Sequence, residues 1–334
     1  MENNQHQVTL TSAEISSLWT AYQSDTLNIC GISFFLIHVE DQAIRQVLEQ
    51  ALAITEKRKE TEIQLLNSAN HPIPQGFTDK DIHLNAPRLF SDKLYLLYTL
   101  NTTYLNLITF SSDLSMVSRT DMIHFFSDSL SDVQVLHQQA KELAIEKGIY
   151  IRPPKIPAPQ QIEFVQADRF LAGWFGERRP LLGTEIAMLV YNSNRNALGQ
   201  AMITGFSQVA ENKEVKQYFE RGREISGKHY DVFSAALHED YLSDGILLTP
   251  EVTASTIAPF SDKLMMNFVT SLTASGIGQY GASISASPRH DLGVKYTRLM
   301  AEIARYSNDG AKILIENGWM EQPPMAANRK DLAK

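Results

Sequence analysis

A chain of 334 residues with an ordinary hydrophobic fraction of 43% is long enough for two domains, each with its own core. Most of the net charge of −8 falls on residues 1–165, which carry 12 Lys/Arg against 19 Asp/Glu, so neither half offers the basic surface that nucleic acid or an anionic membrane requires. The single cysteine, Cys30, excludes an internal disulfide and a cysteine-based metal cluster; near Ile29 and Ile32 it reads as a small buried hydrophobe.

The chain opens on the polar segment MENNQHQ, with no apolar signal stretch after it and no run approaching the roughly 20 apolar residues of a membrane span. These features predict a soluble, cytoplasmic protein. Helical periodicity then predicts a first helix from Thr11 to Ile37, with Ile15, Leu18, Trp19, Tyr22, Ile29, Ile32 and Leu36 on its apolar stripe. Thr11 and Glu14 have the spacing of a capping box. A second helix carries Ile44, Val47, Leu48, Ala51, Ile54, Leu65 and Leu66 and stops before Pro72 and Pro74. A third covers roughly Pro87–Ser115. A fourth runs from Ser118, which sits three residues before Asp121, to Gly148, a residue suited to a left-handed C-cap.

After a stretch opened by Pro153, Pro154, Pro157 and Pro159, the same plan returns. Helices are predicted at 184–209, 212–241, 259–286 and 288–317, with Gly318 as the last cap. No strand pairing is predicted. The return is literal in places: Phe90-Ser91-Asp92-Lys93-Leu94 recurs as Phe260-Ser261-Asp262-Lys263-Leu264. Residues 10–15 match 181–186, Arg119 and Asp121 match Arg289 and Asp291, and Pro153-Pro154 matches Pro323-Pro324, at an offset of 171 residues that later becomes 170. The repeating unit is therefore the size of a whole domain. Expected boundaries are a first four-helix bundle at 8–150, a connector at 151–180, a second bundle at 181–322 and a tail at 323–334.

Loop lengths choose the topology. The first–second and third–fourth turns are a few residues each, which makes those pairs antiparallel neighbours. The sixteen residues 71–86 span roughly 50 Å when extended, more than the about 40 Å of a 27-residue helix. Two hairpins joined by one long crossover give an all-α, ferritin-like arrangement in tandem duplication, with plain up-down topology as the alternative. The connector's second part, with Phe164, Phe170, Leu171, Trp174 and Phe175, is aromatic enough to predict packing against a bundle.

The run FLAGWFGERRPLLGTEI at 170–186, the duplicated helical units and the Pro-Pro ends resemble the DUF3231 family of bacillar proteins. That family is similar to the spore coat protein F group and is placed with ferritin-like folds. The resemblance implies a ferritin-like fold and an association with sporulation; it brings no established activity and no catalytic residues.

A ferritin-like bundle raises the question of a di-metal site, which needs Glu residues and Glu-x-x-His motifs facing inward. The chain contains no Glu-x-x-His. Asp121 with His124 is the nearest match, but its copy has Val294 in place of the histidine, and Asp121 suits the positive end of a helix. Glu14, Glu56, Glu60 and His38 could converge, yet His38 becomes Val209 and Glu56 becomes Gly227 in the copy, so capping and solvated faces are favoured. His229, His238 and His290 stand among acids and read chiefly as helix-end residues. No nucleophile elbow or phosphate loop is present.

The most unusual local feature is Gly276-Ile277-Gly278-Gln279-Tyr280-Gly281 inside a predicted helix, where each glycine costs about 1 kcal/mol relative to alanine. Close packing against another domain or subunit is the favoured explanation, with a cavity for a small apolar ligand or a kink as alternatives. Gly276, Gly278, Gly281, Phe170, Trp174 and Phe175 are thus the candidate packing or interface residues. No catalytic, cofactor or metal residues are assigned. The resulting expectation is a non-enzymatic structural or interaction protein with a protein partner or a second copy of itself, cytoplasmic or spore-associated. A ferritin-like metal-dependent oxidase or peroxide-handling protein and a small-ligand module are the alternatives.

Overall fold

The computed structural model describes residues 9–173 and 178–333. Among these the architecture is all-α. The long helices are α1 (Ser12–His38), α2 (Gln42–Ser68), α3 (Asp92–Met116), α4 (Thr120–Glu146), α5 (Gly183–Val209), α6 (Lys213–His238), α7 (Asp262–Ser285) and α8 (His290–Glu316), with a last turn α9 (Arg329–Leu332). The only strand-like pairing among the described residues is an isolated bridge between Phe90 and Val252.

The helix ends follow local chemistry. Thr11 and Glu14 form the predicted capping box: Glu14 accepts from the Thr11 amide at 2.8 Å, and Thr11 Oγ1 accepts from the Glu14 amide at 3.3 Å. Asp41 and Asn212, at matching positions, cap α2 and α6. Gly148 and Gly318 end α4 and α8 with φ of +67°, where a side chain would be strained.

Within each repeat four helices close on one core. In the first, Ile15 and Leu18 (α1), Leu65 and Leu66 (α2), Phe110 and Val117 (at the end of α3), and Met122, Phe125 and Phe126 (α4) pack together. The ends of α2 and α3 therefore meet the starts of α1 and α4, so α2 and α3 run parallel and the segment between them traverses the helix length. In the second repeat Ile186, Leu237, Ile284 and Leu292 meet in the same way.

The chain forms two compact units whose limits are not those of the repeats. Unit 1 comprises residues 1–84, 98–143 and 318–334; unit 2 comprises 85–97 and 144–317. Helix α3 begins at Asp92 rather than near Pro87 because residues 88–91 lie extended along 251–253. Thr253 donates its amide to Leu89 O at 2.9 Å, and Ser91 donates its own to Glu251 O at 2.9 Å. The repeated pentapeptide builds this part of unit 2. Ser91 and Ser261 N-cap α3 and α7, while Phe90 and Phe260 both set ring edges against Phe206, at centroid distances of 6.0 and 6.3 Å. Gly205 is needed there, since the Phe90 ring occupies the place of a Cβ.

The connector departs from expectation. Ile162, Phe164 and Val165 are 88%, 84% and 62% exposed, and only a single 3-10 turn, Asp168–Leu171, forms after them. Phe170 is half-buried under the Arg179 guanidinium, 4.3 Å from the ring centroid, and its carbonyl accepts from Arg179 Nε. Phe164 fails to pack because the residues around it extend without a helical face to gather them. Trp174 and Phe175 lie outside the described residues.

Candidate functional site

Two polar layers recur in both repeats. The first joins helix starts. Glu14 reaches from α1 to the α3–α4 turn and accepts from the amides of Ser118 (2.9 Å) and Arg119 (2.8 Å). Arg119 in turn forks onto Asp121 with two bonds of 2.7 Å. In the second repeat Glu185 accepts from the amides of Leu182 (2.8 Å) and Arg289 (3.2 Å), and from Arg179 at 2.8 and 2.9 Å. Arg289 forks onto Asp291 at 2.8 and 2.9 Å. Burial works to raise the Glu14 carboxyl, but the bonds from Thr11, Ser118 and Arg119 outweigh it and bring the pKa down to about 2. Asp121 and His124 do not converge: the acid is held by Arg119 and His124 is exposed. Glu56 and Glu60 are exposed as well, and His38 lies against the Phe34 ring.

The second layer lies at mid-helix and differs between repeats. In the first, Arg58 (α2) forks onto Asp25 (α1) through bonds of 2.7 and 2.5 Å, and its guanidinium lies 5.0 Å from the Phe110 ring centroid (α3). Both partners are almost wholly buried. Glu62, one turn along α2, is fully buried; no donor reaches either of its oxygens, and its carboxyl, when protonated, donates toward the Asp25 carboxylate. Burial, and then the Asp25 carboxylate beside it, push the Glu62 carboxyl well above its ordinary value, with Arg58 pulling the other way.

In the second repeat Asn196 replaces Asp25, His229 replaces Arg58, Tyr280 replaces Phe110 and Phe233 replaces Glu62. His229 is not the helix-end residue its acidic neighbours suggest; it is fully buried on α6. Burial holds its ring below the ordinary value despite the bond to Glu302, and so favours the neutral form. The bonds from Lys228 and His229 keep Glu302 ionised against the burial that opposes them. His229 Nε2 then donates to Glu302 at 3.1 Å, leaving Nδ1 to accept from the Tyr280 hydroxyl at 2.9 Å. Tyr280 accepts in turn from Asn196 Nδ2 at 2.9 Å.

This chain of bonds ends at a cavity of about 70 Å³ within α5–α8, lined by Arg195, Asn196, Tyr280 and three glycines, Gly199, Gly222 and Gly276. Gly276 is thus placed on the cavity, 3.3 Å from Ile303 Cδ1 at its Cβ position. Gly278 and Gly281 have nothing within 4 Å of a Cβ, so no packing among the described residues requires them.

Among the described residues, no group of three or more His, Cys, Asp or Glu could hold a metal ion. Sequence reasoning missed Asp25, Arg58 and Glu62. Its one usable signal was the pairing of charged residues with apolar helix faces, and that pattern resembles an ordinary solvated stripe.

The DUF3231 family model, described as a protein of unknown function, matches twice, at residues 1–162 and 169–332. A crystal structure from Bacillus halodurans described as a "putative spore coat protein" aligns at 22% identity over 46% of this chain and all of that one, with a TM-score of 0.42. No curated protein matches the chain. Among the described residues, no helix is long and apolar enough to cross a membrane.

Proposed function

The chain belongs to the DUF3231 family, and we propose that it acts as a structural or interaction protein, each repeat being a ferritin-like four-helix bundle without the metal-site motif. One observation carries this reading: the polar residues that the two repeats share fasten helices to one another. Glu14 and Glu185, Arg119 and Arg289, and Asp121 and Asp291 all spend their charge inside the scaffold. The groups at the bundle centres, where chemistry would reside, were not kept in common. Sporulation, with a cytoplasmic or spore-associated location, is the setting implied by the family's similarity to the spore coat protein F group.

The surface for a partner or a second copy of the chain is read at the connector and the glycine face of α7. Ile162, Phe164 and Val165 present apolar side chains to solvent, and Gly278 and Gly281 leave a flat strip against which another backbone fits. Phe170 adds its half-buried ring on the connector side, and Trp174 and Phe175, the other candidates there, lie outside the described residues. Sedimentation velocity tests it: the full chain associates, and Gly278→Leu or Phe164→Ser shifts it toward monomer. Metal analysis of protein purified without chelators tests the rest. Near-stoichiometric iron or manganese that disappears in Asp25→Asn would replace this reading with a ferritin-like oxidase.

A further inference from the structure

The cavity of the second repeat has no equivalent side-chain set in the first. Gly199, Gly222 and Gly276 stand where the first repeat has Asn28, Ala51 and Asn106. Asn28 fills its space and accepts a 2.7 Å hydrogen bond from Tyr98. Three glycines inside helices cost about 1 kcal/mol each in helix propensity, and packing accounts for only part of that. Gly222 is required, because the Tyr306 hydroxyl occupies its Cβ position. Gly199 is not: a Cβ there would meet Ser226 Oγ at 3.7 Å, an ordinary contact. The space at Gly199 is kept open although a methyl group would fit.

The polar lining is equally specific. Tyr280 gives its proton to His229 and its oxygen faces the Asn196 amide, which orients both without adding charge. Arg195 is the one charged residue of the lining. Its hydrogen bond goes to Ser275 Oγ at 2.6 Å, and among the described residues it has no ion pair with a carboxylate. Glu302, the acid of the network, is committed to Lys228 and His229. A guanidinium with donors to spare stands beside apolar walls formed by Ile203, Leu272 and Ile303.

We infer that this cavity is a binding site for a short-chain monocarboxylate, its carboxylate on Arg195 and its hydrocarbon body in the space left by Gly199 and Gly276. The volume sets the length. About 70 Å³ holds on the order of five water-sized groups, which suits an acid of about four to six carbons. The cavity adds a ligand to the proposed scaffold and does not depend on what the scaffold's partner is.

Titration calorimetry of the full chain with sodium pentanoate at low ionic strength tests the proposal, with pentanol as the uncharged control. Saturable one-to-one binding of pentanoate is expected, with pentanol at least tenfold weaker. Arg195→Gln should weaken pentanoate at least tenfold and leave pentanol unchanged. The variant Gly199→Ala, whose added methyl group meets Ser226 Oγ at 3.7 Å, should melt higher than the parent while binding pentanoate at least tenfold more weakly, an opposition that damage to the fold cannot produce. No saturable binding of pentanoate, equal binding of pentanol, or unchanged pentanoate affinity in either folded variant would overturn it.

Discussion

At one level in the helices the two repeats make opposite choices from the same starting positions. The first holds an ion pair, Arg58 with Asp25, beside a buried acid that no donor reaches, Glu62. The second holds a neutral relay, His229–Tyr280–Asn196, with Phe233 where the acid stood. The exposed pair just outside this level is the same in both, Lys57 with Asp132 and Lys228 with Glu302. A scaffold can thus keep its edges and its helix joints while its centre drifts between ionic and neutral chemistry. The cavity lies in the repeat whose centre is neutral and whose helices carry glycines at these positions.

The largest expected effect breaks this comparison at the ion pair. Arg58→Leu leaves Asp25 buried without its counter-ion and should cost about 3–5 kcal/mol in equilibrium urea unfolding. The matching change His229→Leu strands only the Tyr280 hydroxyl, since Glu302 keeps Lys228, and should cost about 1–3 kcal/mol. Equal losses would show that the two centres are energetically alike despite their chemistry. Next comes the shared helix joint. Because the pKa of Glu14 is lowered to about 2, its contribution is fully present above the ordinary value of 4.5 and is lost as pH falls toward 2. Glu14→Gln should therefore remove on the order of 2–3 kcal/mol at pH 7 and almost nothing near pH 2. Thermal melts across that range measure it.

Much of the fold was legible in the sequence, because each helix carries its own signals. The capping box at Thr11 and Glu14, the left-handed glycines at 148 and 318, and the literal repeat all act through neighbours in the chain. The misreadings occurred where distant residues decide. Helix α3 starts late because residues 88–91 pair with 251–253, a contact across some 160 residues that no local pattern records. His229 looked like a surface residue because its sequence neighbours are charged; its burial comes from Tyr280 and Glu302, on other helices. The glycine run was read as one feature, yet Gly276 lines a cavity while Gly278 and Gly281 face open space. A helix turns about 100° per residue, so adjacent glycines serve different surfaces.

The buried acid Glu62 allows a pH test in which the repeats should respond with opposite sign. The pKa of Glu62 is raised, so the folded state holds a proton that the unfolded chain releases, and stability falls as pH rises above about 4.5. The pKa of His229 is lowered, so the unfolded chain takes up a proton first, and stability falls as pH drops through about 6.5. Glu62→Leu removes the group whose proton is released on unfolding, so relative to the parent it should be more stabilising at pH 7 than at pH 4. His229→Leu should show the reverse trend, its cost largest at pH 7 and smaller at pH 5. If Glu62→Leu were instead destabilising at every pH, Glu62 would be holding Arg58 in place.

The smallest effect sharpens the comparison most. Lys57 and Lys228 are exposed at 69% and 54% of their side chains, so each ion pair is worth about 0–1 kcal/mol. Lys57→Met should accordingly be almost silent. Lys228→Met should be nearly as silent in stability, but it removes one of the two groups that keep Glu302 ionised. With Lys228 gone, Glu302 is a more basic carboxylate with His229 as its remaining donor, so its hold on the His229 Nε2 proton tightens and the placement of Tyr280 at the cavity wall changes. In the calorimetric titration Lys228→Met should therefore change pentanoate binding modestly, while Lys57→Met leaves it untouched. A matching change from both lysines would trace the effect to net charge on the whole chain, and the relay would then be an ordinary buried network with no bearing on the cavity.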